Sequence, residues 1–464
     1  MRRLTPAILA LALVSVTAAS RIDQSGSSLQ GSYRRAPRDG WTYVHLQGTP
    51  AAIGYQHGWL LYREIKDGFD AQKLELRHDA QKDWEFFRSA ARTVLWPHVP
   101  DEYREELTGI TAGLNARGVR LDIWDVVALN AAMEWSYYVQ KYDRDHGIRP
   151  PSTVKAPDHC SAFVATGSWT RDGKVVVAHN NWSSYMDGER WTIIFDVTPA
   201  RGRHFVMDGY PGFIHSGDDF AISDAGLVIT ETTISGFEGW DSNGIPEFVR
   251  ARKALQYAES IDDFSRIMRE GNNGGYANGW LVADIRTNEI ASLELGLKNV
   301  ELRRTRDGWF AGANFPVNRK LLREETTFNP DDPSLSANAR RVRWDQLIGR
   351  SKGKIDVTLA KKFLADHYDP VANKIRPGEH TLCGHVDLSP RGMGDWKVPY
   401  QPAGSVQNTV TDAGMAAQMS FLAAAGHACG ISFKSAPFLR AHPEFAWQTG
   451  FLGDMNAHKW TRIP

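Results

Sequence analysis

Residues 157–185 read PDHCSAFVATGSWTRDGKVVVAHNNWSSY, and this stretch decides the fold that we expect. Two apolar runs, Ser161–Ala165 and Val175–His179, are separated by a loop of mostly polar and turn-forming residues. Runs of this length and composition predict two neighbouring β-strands joined by that loop. Cys160 stands at the first position of the first strand, directly after a loop that contains Pro157.

A cysteine at the start of a strand, after a loop, is the arrangement that an N-terminal nucleophile enzyme requires. In such an enzyme the peptide bond before the nucleophile is cut, and the freed α-amine acts as the base for the side chain. An α-amine has a pKa near 7.7–8.0 and a free thiol one of about 8.5, so the amine can assist ionisation of the thiol near neutral pH. The chemistry also needs an oxyanion hole.

Two strand registers are compatible with these residues. If Asp172-Gly173 forms a two-residue turn, Cys160 lies opposite Tyr185. If the whole stretch 166–173 forms the loop, residues 160–165 pair with 174–179, and His179 lies directly opposite Cys160. We favour the second register because that stretch is mostly polar or turn-forming.

Composition narrows the class of protein. The 464 residues are 42% hydrophobic and 23% charged, which is typical of a soluble globular protein. Lys+Arg and Asp+Glu both number 54, so the net charge gives no reason to expect nucleic acid as a partner. Residues 1–20 combine a basic start, an apolar run and small residues, which is typical of a cleaved secretory signal peptide. No later stretch is apolar over the length of a bilayer, so we predict no integral membrane span and a secreted or periplasmic location.

The rest of the chain divides into three expected segments. Residues 21–40 are polar and rich in Gly, Ser and Arg, which predicts a disordered leader, and residues 41–159 form a helical N-terminal segment. Residues 160–464 form the catalytic part, in which strands come first and helices return at 246–270, 335–350 and 357–366. The order of helices, strands and helices favours an α+β layered fold with an antiparallel sheet. The strands predicted after the first two are Trp191–Val197, Leu227–Thr233, Gly279–Ile285 and Ile290–Leu297.

The chain has three cysteines, so if two of them form a disulfide in an oxidising compartment, the third has no partner. Cys383 and Cys429 are able to pair and leave Cys160 as the thiol, but three buried inert thiols fit the sequence equally well. His380-Thr-Leu-Cys383-Gly-His385 places ligand types close together, yet no second cluster of matching spacing is visible. We therefore interpret this segment as a polar loop near a disulfide and predict no metal and no cofactor.

The segments around Cys160 resemble the phospholipase B-like proteins. These belong with the cysteine N-terminal-nucleophile (Ntn) hydrolases, which include the penicillin acyltransferase group. The similarity is carried by Cys160-Ser-Ala-Phe and by His179-Asn-Asn-Trp182-Ser-Ser-Tyr185. Further segments match in the same order and extend the resemblance over roughly residues 40–347: VVALNAAME at 126–134, TETTI at 230–234, NNGGYANGW at 272–280 and, more weakly, ANARR at 337–341.

The resemblance implies an αββα sandwich of antiparallel sheets, made as a precursor that cleaves itself between His159 and Cys160. The two pieces would stay associated. Cys160 would be the nucleophile, with His179 beside it and Asn278 as an oxyanion-hole donor. The family has Asn-Asn where this chain has Ala277-Asn278, so the match at that position is incomplete. The residues expected to bind the substrate are Trp182, Tyr185, Thr232 and Thr233.

The function that follows is hydrolysis of an amide or ester acyl bond by a secreted protein, or a lumenal or lysosomal one in a eukaryote. The expected partner is a small acylated substrate, either a phospholipid or an N-acyl amide, because the family is linked to both. Two alternatives stay open: an acyltransferase of the same fold, and a non-catalytic secreted protein that binds lipid or glycan. A Ser-His-Asp esterase is disfavoured because no Gly-x-Ser-x-Gly segment is present.

Overall fold

Two antiparallel layers of β-strands form the centre of the molecule. A computed structural model describes residues 28–148, 160–217, 220–393 and 398–464. The predicted signal peptide at residues 1–20 and the predicted cleavage residue His159 lie outside these ranges.

The larger sheet has nine strands in the order β1-β2-β5-β6-β7-β8-β9-β10-β11. Neighbouring strands are antiparallel except β2 and β5, which are parallel. Its strands are β1 (Tyr33–Arg34), β2 (Thr42–Gly48), β5 (Ile193–Pro199), β6 (Phe205–Gly209), β7 (Ala221–Ser223), β8 (Leu227–Thr233), β9 (Asn278–Asp284), β10 (Glu289–Leu295) and β11 (Val300–Thr305).

The smaller sheet has six strands in the order β12-β3-β4-β15-β16-β17, all antiparallel. A separate pair, β13 (Tyr368–Asp369) and β14 (Lys374–Ile375), forms a short hairpin. The strands of the six-stranded sheet are β3 (Ser161–Thr166), β4 (Val176–Ser184), β12 (Gly308–Gly312), β15 (Ala403–Asp412), β16 (Phe421–Ala425) and β17 (Thr461–Ile463).

Helices cover both outer faces of the sheets. Their starts follow capping rules: for example, Asp122 and Asp125 form a reciprocal capping box at the start of α5. The helices are α1 (Pro50–Leu60), α2 (Tyr62–Ala80), α3 (Trp84–Ala90), α4 (Asp101–Ala116), α5 (Ile123–Asn130), α6 (Trp135–Asp145), α7 (Tyr185–Gly188), α8 (Glu247–Tyr257), α9 (Ile261–Arg269), α10 (Arg319–Glu325), α11 (Ser336–Gly349), α12 (Val357–Leu364), α13 (Ala413–Ala416) and α14 (Ser435–Ala441).

Three buried clusters define the order of the layers. One lies between the sheets and joins Val164 and Val177 of the smaller sheet to Val228 of the larger one. A second packs the outer face of the larger sheet against the N-terminal helices, and a third packs Trp344 and Phe363 of α11 and α12 against the smaller sheet. The order is therefore helix, sheet, sheet, helix, which confirms the α+β αββα sandwich of antiparallel sheets.

Most of the predicted strands and helices are confirmed to within two residues. The strand predicted at Val175–His179 continues to Ser184, residues 246–270 form two helices rather than one, and the N-terminal boundaries need correction. The expectation of a disordered leader over 21–40 is wrong for residues 28–40, because Arg34 pairs with Val44 in the sheet and its guanidinium donates to the main-chain oxygen of Leu60 at 3.1 Å. The described part of the segment 41–159, up to residue 148, is mostly helical from Pro50 to Asp145 but begins with the strand β2. Within the described residues, no helix has the length and apolar character needed to cross a bilayer.

Helices α1 and α4 approach each other through glycines. A Cβ atom added at Gly54 would overlap the main-chain oxygen of Glu106, and one added at Gly109 would lie 2.5 Å from the main-chain oxygen of Ala51. Both obstacles are backbone atoms, which cannot rotate away as a side chain can. Only glycine therefore allows the two helices to pack at this distance on the larger sheet.

We expect Gly54→Ala to lower the free energy of unfolding by about 3 kcal/mol, because the added methyl group forces the two helix backbones apart. Urea unfolding followed by tryptophan fluorescence, at one fixed protein concentration, measures the change. Gly349→Ala is the matched control, since a Cβ atom there meets nothing within 4 Å. It should be neutral or slightly stabilising, and equal losses in both variants would contradict the packing argument.

Candidate active site

Cys160 lies directly before β3, whose pairing with β4 sets its neighbours. Ser161 pairs with Asn180 and Ala162 pairs with His179, so the residue opposite Cys160 is Asn181. Both expected registers are therefore wrong, and the favoured one is displaced by two residues. The reason is that β3 continues through Thr166 and the connection to β4 runs from residue 167 to residue 175. A shift of two residues keeps each side chain on its face of the sheet, so His179 still lies on the same side as the thiol.

The Cys160 thiol is buried among groups that can exchange protons. The side chain is 0% exposed, and its Sγ–H donates to Asn181 Oδ1 over 3.7 Å. Sγ, a ring nitrogen of His179 and a carboxylate oxygen of Glu231 all lie within 4.8 Å of one another. This places a thiol, an imidazole and a carboxyl group together in one buried cluster.

His179 is held as a neutral imidazole. Complete burial lowers the pKa of His179 to about 3, although a hydrogen bond between the ring and the Glu231 backbone acts in the opposite direction. Its Nε2 atom has no hydrogen-bond partner among the described residues. The ring is therefore oriented through its other nitrogen, and the lone pair of Nε2 is available to accept a hydrogen bond.

Glu231 is bound by two polar neighbours from the start of β9. The Tyr276 hydroxyl donates to Glu231 Oε1 at 2.9 Å. The orientation of the Asn278 amide that satisfies its surroundings places Nδ2 2.9 Å from Glu231 Oε2 and 3.0 Å from the main-chain oxygen of Ala277. Both N–H groups of Asn278 are then occupied, so in this state the amide binds Glu231 rather than pointing at the thiol.

Asn181 is a site residue that the sequence analysis did not single out. Its Oδ1 accepts from the Cys160 thiol, while its Nδ2 has no partner among the described residues. A buried amide donor next to a nucleophile is the group that an oxyanion hole needs. The sequence could have indicated this role for Asn181 only through the correct strand register, because Asn181 contacts Cys160 only if the two residues lie opposite each other.

Arg340 of α11 was also missed, although it lies in the weakest of the resembling segments. Its guanidinium donates to the main-chain oxygen of Cys160 at 2.6 Å, to Ser161 Oγ at 2.9 Å and to Asn314 Oδ1 at 2.9 Å. The Asn314 amide in turn donates to the main-chain oxygen of Thr233 at 2.8 Å. One buried cation thus connects the first residue of β3 to the end of β8 in the other sheet.

The expected substrate-binding residues divide into two groups. Trp182 stacks against the Arg340 guanidinium at 4.4 Å, and Thr232 and Thr233 lie buried at the end of β8 next to Glu231. Tyr185 lies elsewhere: its hydroxyl donates to Asp387 Oδ1 at 2.6 Å and contacts a buried histidine. The structure therefore places Trp182 beside Arg340, and Thr232 and Thr233 after Glu231 in β8, whereas Tyr185 lies in a different group of side chains. Their roles with substrate stay predictions.

The three cysteines form no disulfide. Cys383 and Cys429 are separate thiols, and both contact His385 Nε2, at 3.6 and 3.5 Å. The interpretation of residues 380–385 as a polar loop near a disulfide is therefore wrong. These thiols belong to a second cluster of ligand-type side chains, apart from Cys160.

The sequence profile of the family described as Phospholipase B matches residues 72–299. The similarity to the phospholipase B-like family extends over this range, which is just under half of the chain. The matched range includes Cys160, His179, Glu231 and Asn278, and it ends before Arg340. The cysteine-centred group thus lies in the part of the chain that carries the family's sequence pattern.

The chain is 26% identical over 252 residues to an uncharacterized protein of Archaeoglobus fulgidus, and the match covers 50% of this chain and 39% of that protein. It is 27% identical over 277 residues to phospholipase B-like 1 of Homo sapiens, covering 52% of this chain and 48% of that one. For phospholipase B-like protein B of Dictyostelium discoideum the identity is 22% over 392 residues, covering 74% and 64%. The matches thus span 39% to 64% of these relatives' own length.

Among solved structures, two mutant forms of conjugated bile acid hydrolase from Clostridium perfringens are similar to this chain. Each is 10% identical and covers 57% of this chain and 88% of that chain, with TM-scores of 0.33 and 0.32.

The neutral state of His179 predicts a pH dependence of stability. An unfolded histidine has a pKa near 6.5, so between pH 6.5 and about 3 the unfolded chain binds a proton that the folded chain excludes. This contribution is fully present above pH 6.5 and is lost as the pH falls towards 3. We expect His179→Gln, made in the continuous Cys160→Ala chain, to reduce the slope of unfolding free energy against pH between 6.5 and 4.

Urea unfolding at a series of pH values measures that slope. His146→Gln serves as the control because His146 is exposed, so its replacement removes no buried imidazole and should keep the slope of the parent chain. If both variants have the same slope, His179 is not buried as a neutral ring.

Proposed function

We propose that the protein is a self-processing hydrolase of acyl bonds, with Cys160 as its N-terminal nucleophile. The observation that carries this proposal is the grouping of the Cys160 thiol, His179 and Glu231 within 4.8 Å, directly before the first residue of β3. The match to the family profile supports the same proposal, because this grouping lies inside the matched range.

The proposed processing step cuts the bond between His159 and Cys160. The Cys160 sulfur attacks the carbonyl carbon of His159, the C–N bond breaks, and the thiol proton passes to the new α-amine. Water then hydrolyses the thioester, which leaves a carboxylate on His159 and restores the thiol. Arg340 supports this step by fixing the main-chain oxygen of Cys160 at 2.6 Å, so the residue stays in place while the bond before it is cut.

The two products are expected to stay together. Strand β2, from the first product, lies inside the larger sheet and pairs along its length with β5 of the second product. Residues of α1 to α6 share one buried cluster with residues of β5 to β10. Separation would expose this whole interface, which hydrophobic burial opposes.

In the proposed turnover the thiolate attacks the acyl carbonyl of the substrate. The Asn181 amide then donates to the developing oxyanion, and the Cys160 α-amine protonates the leaving group and next activates water. His179, whose pKa of about 3 keeps it uncharged, accepts a hydrogen bond at Nε2 and so orients the reacting groups. Glu231 stabilises the protonated amine by its charge.

The substrate class is an acylated small molecule with an ester or amide bond. A sulfur nucleophile attacks both kinds of carbonyl, and the names of the relatives point to phospholipids for those proteins. A phospholipid and an N-acyl amide are therefore the first substrates to test. A secreted, periplasmic or lumenal location agrees with the signal-like residues 1–20.

Intact mass and N-terminal sequencing of the purified protein test the processing step. We expect a fragment that runs from Cys160 to Pro464 in the wild type and a continuous chain in Cys160→Ala. Processed protein should release fatty acid from phospholipid vesicles or N-acyl amides, and Cys160→Ala should lose at least about 10³-fold in rate. A wild-type chain that stays continuous and inactive after incubation at acidic and neutral pH would overturn the proposal.

A second experiment separates the two candidate oxyanion donors. We expect Asn181→Ala to lower kcat by about 10²-fold or more with little change in KM, because it removes a donor used in the transition state. Asn278→Ala, in which the lost N–H groups pointed at Glu231 and Ala277, should lower kcat less. Both variants are compared as processed protein, so that only turnover is measured. The reverse order would make Asn278 the donor.

A further inference from the structure

A second group of reactive side chains lies in the C-terminal half of the chain, outside the range matched by the family profile. One atom each of His367, Cys383, His385 and Cys429 lies within 4.8 Å of the other three. Cys383 and His385 are buried, and His367 and Cys429 are half-buried. The four residues come from three loops: after α12, after β14 and after β16.

The distances inside this cluster are those of a tetrahedron around a metal ion. His367 Nε2 and His385 Nε2 are 3.2 Å apart, and His385 Nε2 lies 3.6 Å from Cys383 Sγ and 3.5 Å from Cys429 Sγ. Zinc bonds of about 2.05 Å to nitrogen and 2.3 Å to sulfur, at tetrahedral angles, give N–N and N–S edges of about 3.3 and 3.6 Å. All three edges agree with this geometry.

Hydrogen bonding alone does not account for the cluster. His385 Nε2 has three neighbours at 3.2–3.6 Å, but one ring nitrogen carries either a single N–H or a single lone pair. It can therefore satisfy one neighbour and not three. A cation at the centre of the four atoms satisfies all of them at once, because each then directs a lone pair at the metal.

The surroundings hold the ligand loops in place. The Cys383 N–H donates to the main-chain oxygen of Asp366 at 3.1 Å, and Asp366 is bound by both ends of the Arg343 guanidinium at 2.7 and 2.8 Å. His427 stacks on His385 at 4.0 Å, but its own nitrogens are taken by the Ile431 carbonyl at 2.8 Å and by a tyrosine hydroxyl at 3.0 Å. His427 is therefore a neighbour of the cluster and not a ligand.

We propose that His367, Cys383, His385 and Cys429 bind one Zn²⁺ ion in a closed tetrahedral Cys2His2 site. Both cysteines bind as thiolates, so each thiol still protonated releases its proton on binding, and the two negative charges balance the ion. Four protein ligands leave no open position for a substrate, which makes this a structural site. The earlier prediction of no metal is reversed because the four ligands are brought together only by folding.

The site would brace the strand that carries His179 and Asn181. The main-chain oxygen of Leu382, the residue before Cys383, accepts from Asn180 Nδ2 at 2.9 Å and from Trp182 Nε1 at 3.3 Å. A metal that holds Cys383 thus holds the loop against β4. This role does not depend on the hydrolase proposal, and zinc would be bound by an inactive chain as well.

Metal analysis of the full-length chain, purified without chelators and under reducing conditions, tests the site. We expect one zinc per chain, and after exchange a cobalt spectrum with tetrahedral d–d bands and thiolate charge-transfer bands. Cys429→Ser and His367→Gln should lose most of the metal. His427→Gln and Cys160→Ala should keep it, since the first is only a neighbour and the second belongs to the other cluster.

The wild-type spectrum alone is decisive if a ligand variant fails to fold. A folded, reduced wild-type chain that takes up neither zinc nor cobalt would overturn the proposal. So would a native disulfide between Cys383 and Cys429 found by peptide mapping, or zinc retained at full stoichiometry in both folded ligand variants. Zinc binding in Cys160→Ala, together with loss of acyl hydrolysis, would separate this site from the proposed function.

Discussion

The buried guanidinium of Arg340 fixes the arrangement of everything around Cys160. A charge that is fully removed from water is tolerated only if its N–H groups are matched by acceptors. The acceptors here come from α11 itself, from Cys160 and the first residue of β3, and from Asn314 in the loop after β12. Those acceptors belong to the helical layer, to the start of β3 and to the loop that leaves its neighbouring strand β12. The position of Cys160 is therefore fixed partly from outside the sheet.

The same interaction links the two sheets. Asn314 accepts from Arg340 and in turn donates to the main-chain oxygen of Thr233, at the end of β8, where the chain leaves the larger sheet. Glu231, two residues earlier on that strand, reaches the thiol and His179 across the layer boundary. Both sheets therefore contribute residues to the candidate site, and its geometry depends on how closely the two sheets approach each other near the end of β8.

Much of this architecture was visible in the sequence, and the failures have physical causes. Runs rich in β-branched residues, such as Leu227–Thr233, predict strands well because these side chains pack favourably on the pleated surface of a sheet. The register of β3 and β4 was missed because it depends on how many residues the connecting loop absorbs, which local sequence does not determine. Arg340 and Asn181 were missed because their partners are defined only by tertiary contacts. The edge strand Tyr33–Arg34 is short and polar, so composition favoured disorder.

The cluster of His367, Cys383, His385 and Cys429 was likewise not predicted from the sequence. Metal sites are recognised in sequences when ligands occur as closely spaced pairs, and here only Cys383 and His385 are such a pair. His367 and Cys429 join them through folding. The prediction that Cys160 is a nucleophile, by contrast, used its immediate neighbours in the chain, because the start of a strand after a loop is a local feature.

The parallel pairing of β2 with β5 has a consequence for the lifetime of the folded protein. These strands are neighbours in one sheet, yet the bond before Cys160 lies between them in the chain. After a cut at that bond, unfolding would release two polypeptides, and refolding would require them to meet again in solution. The lifetime of the cut protein in dilute surroundings would then be governed by its unfolding rate rather than by its equilibrium stability. Features that slow unfolding, such as the close glycine-mediated contact of α1 and α4, would matter more there than any gain in folding speed.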